Sequence, residues 1–192
     1  MDKAELNRAY FEAGDWLHTK YKGIPIFKYA TDLYRYEDIL RETNPDLIIE
    51  CGTLKGGSAL WLKDHSNAKV ITIDVDHVNR QHDGIQYVTG NSLQKRISTK
   101  GYRRVMVILD SDHCKEHVLA ELKKFSPLVS KGCYLVVEDT FISRYLNNQD
   151  PNNDYSGGSS WEAIQDWDNT GFEQEEGPFM LSMNPGGWFQ RV

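Results

Sequence analysis

The stretch Leu47-Ile48-Ile49-Glu50-Cys51-Gly52-Thr53-Leu54-Lys55-Gly56-Gly57-Ser58 constrains this chain more than any other. A short apolar run closes on an acid, a glycine turn follows, and Ser58-Ala59-Leu60-Trp61-Leu62 reads as the next helix. That is a strand, a Gly-rich turn and a helix in α/β order. Small residues let a backbone pass close to a ligand. The helix start offers free N–H groups beside it. The turn is expected to hold a nucleotide-like cofactor against a sheet.

Four further apolar runs read as strands. They are 68–73 ending at Asp74, 85–88, 105–109 ending at Asp110, and 133–137 ending at Glu138-Asp139. Val105-Met106-Val107-Ile108-Leu109 is apolar throughout, which suits a central parallel strand buried on both faces. Helices are expected over residues 3–18, 32–43, 58–65, 115–126 and 160–167, with a helix or loop over 93–100. Residues 21–29 are irregular and aromatic, and 140–160 are weakly structured. Two closing strands are expected near 172–176 and 179–183, forming a hairpin.

A chain of 192 residues fits one domain with a real hydrophobic core. The formal charge is 22 minus 28, or -6, with no long basic stretch. Nucleic acid is therefore not the expected partner. The N-terminus, Met1-Asp2-Lys3-Ala4-Glu5, is too polar for a signal peptide. No apolar run approaches the length of a membrane span. The expectation is a cytoplasmic protein without membrane insertion. Cys51 and Cys133 lie in strand-like surroundings and are expected as buried thiols.

Ligands of an open α/β sheet bind beyond the carboxyl ends of its strands. Glu50, Asp74, Asp110, Glu138 and Asp139 all fall there. Asp74 lies where a carboxylate can grip ribose hydroxyls. The glycine loop is neither Gly-x-Gly-x-x-Gly nor a phosphate loop. An acid closing the first strand would repel a pyrophosphate but suit a cationic cofactor such as S-adenosylmethionine. Asp110, Glu138 and Asp139 could share a hard divalent cation such as Mg²⁺ or serve as caps. Glu138 and Asp139 can serve one ion only if the chain turns after the strand. His113 could act as a base or as a capping group. Asp112 could orient His113, cap the helix or face solvent. His117 reads as helix surface, and Trp161 as a candidate wall of a pocket.

Taken in order, the segments Glu50–Ser58, Ile73-Asp74-Val75-Asp76, Ile108-Leu109-Asp110-Ser111-Asp112-His113 and Leu135-Val136-Val137-Glu138-Asp139-Thr140 resemble the cephalosporin hydroxylase–like family. That family is related to rhamnosyl and macrolide-sugar O-methyltransferases. The resemblance implies a Rossmann-like class I methyltransferase fold: a mostly parallel seven-stranded sheet, a C-terminal antiparallel hairpin and helices on both faces. The resemblance spans about residues 32–192, a methyltransferase domain, while residues 1–31 are read from their own pattern as an N-terminal helix and aromatic cover. Glu50, Gly52, Ser58, Asp74 and Ser92 would bind S-adenosylmethionine. Asp110, Glu138 and Asp139 would bind Mg²⁺ or another hard divalent cation. His113, with Asp110, would be catalytic. The implied reaction is methyl transfer to a hydroxyl of a sugar, glycoside or other vicinal diol, with homo-oligomerisation left open. The alternatives are a non-catalytic binder of the cofactor or a glycan, and a nicotinamide-dependent oxidoreductase. An iron-dependent hydroxylase would want a jelly roll, which the strand–helix alternation opposes.

Overall fold

A computed structural model of the chain describes residues 2–146, 149–150, 153–154 and 157–192. Its centre is a seven-stranded sheet. The strands are β1 (Leu47–Cys51), β2 (Lys69–Asp74), β3 (Ile85–Thr89), β4 (Val105–Leu109), β5 (Tyr134–Val137), β6 (Phe172–Glu175) and β7 (Trp188–Arg191). Their spatial order is β6-β7-β5-β4-β1-β2-β3. The first five are parallel, while β7 runs antiparallel to β5 and β6 antiparallel to β7. This is the sheet expected of the class I methyltransferase fold. The strand order reverses between β1 and β4, and that point opens a crevice at the strands' carboxyl ends.

The helices are α1 (Lys3–Ala13), α2 (Ala30–Thr43), α3 (Gly57–Asp64), α4 (Lys115–Phe125), α5 (Phe141–Leu146) and α6 (Ser160–Asp166). They cover both faces. Tyr36, Ile39 and Leu40 of α2 pack with Leu60 and Trp61 of α3 over Ile48, Met106 and Val136. Val118, Leu122 and Phe125 of α4 pack with Ala163 and Ile164 of α6 over Ile49, Val107 and Leu135. A third cluster joins Tyr10 and Phe11 of α1, Tyr29, and Phe141 and Ile142 of α5 beyond the strand ends. Cys51 and Cys133 are buried free thiols, as expected. Among the described residues, no helix is long and apolar enough to cross a membrane.

Several expectations need correction. The first helix stops at Ala13, because Gly14 takes a left-handed conformation and a short 3₁₀ turn follows. For residues 93–100, read as helix or loop, the loop reading holds. Part of the 140–160 stretch is ordered as α5, whose Phe141 and Ile142 are buried. Residues 147, 148, 151, 152, 155 and 156 of that stretch lie outside the described residues. The last strand is 188–191, not 179–183. Segment 182–183 is held sideways instead. The Ser182 hydroxyl and the Met183 N–H donate to the two carboxylate oxygens of Asp32, at 2.6 and 2.8 Å. The Ser182 N–H donates to Asn7 at 3.0 Å. Trp188 and Phe189, both buried, enter the sheet in its place.

Gly52 has a steric duty to the sheet itself. Its φ is +99°, and an added Cβ would lie 1.7 Å from the carbonyl oxygen of Asp110. The glycine lets the first and fourth strand ends close on each other. Gly52→Ala is expected to cost about 3 kcal/mol through overpacking and backbone displacement, read as a lower urea midpoint. An unchanged midpoint would show that the Asp110 backbone can move aside.

Candidate active site

The in-register parallel pairing carries one residue past each strand and sets the site. Gly52 N–H donates to Ile73, Asp110 N–H to Cys51, and Glu138 N–H to Leu109, at 2.8, 2.8 and 3.0 Å. One edge of the sheet therefore presents Gly52, Asp74, Asp110 and Glu138. A cavity of about 820 Å³ lies there. Its lining includes Gly52, Ser58, Asp74, Ser92, Asp110, His113, Glu138 and Asp139. Of the residues singled out from sequence, Glu50 sits behind the wall, and Trp161, expected as a candidate pocket wall, is not part of the lining.

At one end is the glycine loop. Asp74 accepts from the backbone N–H groups of Thr53 and Leu54, at 2.9 and 2.7 Å, through one oxygen. Its other oxygen accepts from Asp76 N–H at 2.9 Å. Asp74 thus holds the loop's shape while its carboxylate stays at the cavity wall. Glu50 is fully buried, and the Thr72 hydroxyl donates to its Oε2 at 2.6 Å. Oε1 receives no hydrogen bond of normal geometry among the described residues. Burial pushes the Glu50 carboxyl up to about 7, against the nearby hydroxyls of Ser58 and Thr72. A buried carboxylate short of partners, behind a glycine loop, suits a cationic ligand.

At the other end is the carboxylate cluster. β5 ends at Val137, and Asp139 takes a φ of +57°, so the chain does turn after the strand. That separates the two acids. Asp139 faces His113 Nε2 at 3.1 Å, and Asp110 Oδ1 lies 3.9 Å from the same nitrogen. Ligand atoms of Asp110, His113 and Asp139 lie within 4.8 Å of one another, close enough to share a metal ion. Glu138 is turned away into a buried pair. Its Oε2 accepts from Lys28 Nζ at 2.5 Å and its Oε1 from Tyr36 at 2.6 Å. Lys28 Nζ also donates to Asp110 Oδ2 at 2.9 Å. Burial raises the carboxyls of Asp110 and Glu138, with Lys28 opposing. Burial works against charge on His113, but Asp139, Asp110 and Glu138 outweigh it and the net shift is upward. For Lys28 the balance is the same: Asp110 and Glu138 outweigh burial and hold it charged.

Sequence reading missed Lys28 and Glu121. Lys28 sits in the irregular 21–29 stretch, and nothing local marks it. Glu121 lies on the buried face of α4, where an acid four residues after His117 reads as surface. In the fold it is fully buried. The hydroxyls of Ser92 and Ser111 donate to its Oε1 at 2.5 and 2.8 Å, and His117 Nε2 lies at 3.3 Å. His117 therefore joins the cavity wall rather than the outer surface. Asp112 caps the turn into α4, accepting from Cys114 N–H at 2.9 Å. Trp161 stacks on Arg144, 4.2 Å from ring centroid to guanidinium carbon. Phe11, Trp16, Phe27 and Phe141 are the aromatics of the cavity.

The family model for rhamnosyl O-methyltransferase/CmcI matches residues 13–192. The chain belongs to this family. The rhamnosyl O-methyltransferase of Mycobacterium tuberculosis strain H37Rv is 36% identical over 156 residues, which are 72% of this chain and 64% of that protein. The Mycobacterium leprae protein of the same name is 35% identical, over 72% of this chain and 68% of its own length. The chain thus spans about two thirds of the length of the curated relatives it matches. Among solved structures, CmcI with Mg and SAM superposes with a TM-score of 0.64 at 21% identity, covering 93% of this chain and 78% of that one. The SAH complex of the Bacillus cereus O-methyltransferase gives 0.58 at 18% identity, covering 97% and 88%. These structural likenesses concern the fold.

Ser92 spends its hydroxyl on Glu121, so its loss strips a donor from a buried carboxylate. Ser92→Ala is expected to lower stability by about 1–3 kcal/mol, read from urea unfolding. No loss would mean that Glu121 finds another donor.

Proposed function

We propose that this protein transfers a methyl group from S-adenosylmethionine to a hydroxyl oxygen of a sugar, glycoside or other vicinal diol, with help from a divalent cation such as Mg²⁺. One observation carries this reading. A single cavity holds the glycine loop with Asp74 at one end and Asp110, His113 and Asp139 at the other. A methyl donor and a metal-bound acceptor need that adjacency.

Gly52 and Ser58 would border the methionine part of the cofactor, and Glu50 would answer its positive charge from behind the loop. Asp74 would meet the ribose, and Ser92 the adenine side. Asp110 and Asp139 are the proposed metal ligands that face the cavity, with Glu138 third if Lys28 yields it. When bound, the ion would supply Lewis acidity that lowers the acceptor hydroxyl's pKa. The chain's own task is to position the acceptor and remove its proton. His113 Nε2 lies between Asp110 and Asp139 and is the proposed base. Phe11, Trp16 and Phe27 would exclude water from that end.

The first test is calorimetric titration of metal-stripped protein with S-adenosylmethionine, with and without Mg²⁺. Binding at micromolar strength that Asp74→Ala removes supports the reading; no binding in either condition ends it. Given binding, His113→Ala should lower turnover by about 10²–10⁴-fold with little change in metal or cofactor affinity. If metal affinity falls with turnover, His113 is a ligand instead of the base. Asp110→Asn should abolish metal-dependent transfer.

Glu50 adds a pH signature. Its carboxyl in the free protein sits at about 7. A cation beside it favours the ionised form, so binding should expel a proton near that pH. Cofactor affinity should rise as pH climbs through 7 and flatten above it. Titrations in buffers of different ionisation enthalpy would count the released proton. Glu50→Gln should flatten the profile, and a wild-type profile that is already flat would exclude the contact.

A further inference from the structure

Lys28 sits against two of the three carboxylates that the sequence suggests for a metal ion, Asp110 and Glu138. Its ammonium donates to Asp110 Oδ2 at 2.9 Å and Glu138 Oε2 at 2.5 Å, and its side chain is 6% exposed. Asp110 is also a member of the candidate metal cluster. The lysine reaches the cluster from outside the sheet. It follows Phe27, whose φ is +50°. The same segment passes over the glycine loop, where a Cβ on Gly57 would lie 2.1 Å from the carbonyl oxygen of Pro25. The 25–28 segment is thus held at the cofactor loop and at the carboxylates together.

The charges make this placement consequential. Asp110, Glu138 and Asp139 carry three negative charges when ionised, and Lys28 cancels one. Buried carboxylates crowded together are costly unless a cation sits among them. A divalent ion and the Lys28 ammonium would answer the same need: both draw on the Asp110 carboxylate, and an ion that also took Glu138 would claim the oxygen Lys28 holds.

We propose that Lys28 is the resident cation of this centre. It holds Asp110 and Glu138 together in the metal-free protein, and a divalent ion must compete with it for them. Lys28 is a positioning residue whose presence weakens metal binding and spares the metal-free fold. This inference rests on the metal-dependent reading above.

The test is titration of metal-stripped protein with Mn²⁺, following the free-ion electron paramagnetic resonance signal. Lys28→Met and Lys28→Gln should bind Mn²⁺ at least tenfold more tightly than wild type, while Lys28→Arg stays within about threefold of it. Melting of the two neutral variants should also depend more on Mn²⁺ than melting of wild type. If Lys28→Met is unfolded when stripped, refolding on Mn²⁺ addition supports the proposal. Wild-type binding with equal or weaker binding by both neutral variants overturns it and leaves the metal reading standing. No Mn²⁺ binding by any of the proteins removes the metal reading and this inference with it.

Discussion

The site depends on one constraint, the level at which β1 meets its two parallel neighbours. Cys51 pairs with Leu109 on one side and Ile73 on the other. The next residues, Gly52, Asp110 and Asp74, therefore reach the sheet edge together. A side chain at position 52 would collide with the Asp110 backbone. The glycine is set by strand packing before any ligand is considered. A one-residue slip in this register would invert the faces of each strand. It would also scatter the acids.

The cavity divides its charge by depth. The pair Lys28–Glu138 forms the buried layer, with side-chain exposures of 6% and 2%. Asp110, Asp139 and His113 lie above it, at 23%, 18% and 16%. Asp110 joins the layers, giving one oxygen to Lys28 and turning the other toward His113. The turn at Asp139 makes this division. With φ at +57°, consecutive acids leave the strand in different directions. Aspartate tolerates that conformation better than most residues. On the far wall, Glu121 gathers Ser92, Ser111 and His117 and ties α4 to two loops of the sheet edge.

The N-terminal quarter of the chain contributes more than a cover. Phe11 and Trp16 line the cavity, Tyr36 holds Glu138, and Lys28 enters the carboxylate cluster. The buried hydrogen bonds from Ser182 and Met183 to Asp32 then fasten the C-terminal segment to α2. This tie explains why 182–183 is drawn away from the sheet and the closing strand falls at Trp188–Arg191.

The sequence alone was enough for the strand–turn–helix rhythm, the five parallel strands and the acids that close them. Period and apolar runs are local signals, and each strand carries its own. It also sufficed for the family, because four short motifs occur in order. The partners of those acids had to wait for the fold. Lys28 meets Asp110 across 82 positions and Glu138 across 110, and Ser92 meets Glu121 across 29. Such pairs have no periodicity to betray them. Buried charge is settled by which segments the tertiary structure brings together, and only there do Glu138 and Asp139, neighbours in the chain, take different partners.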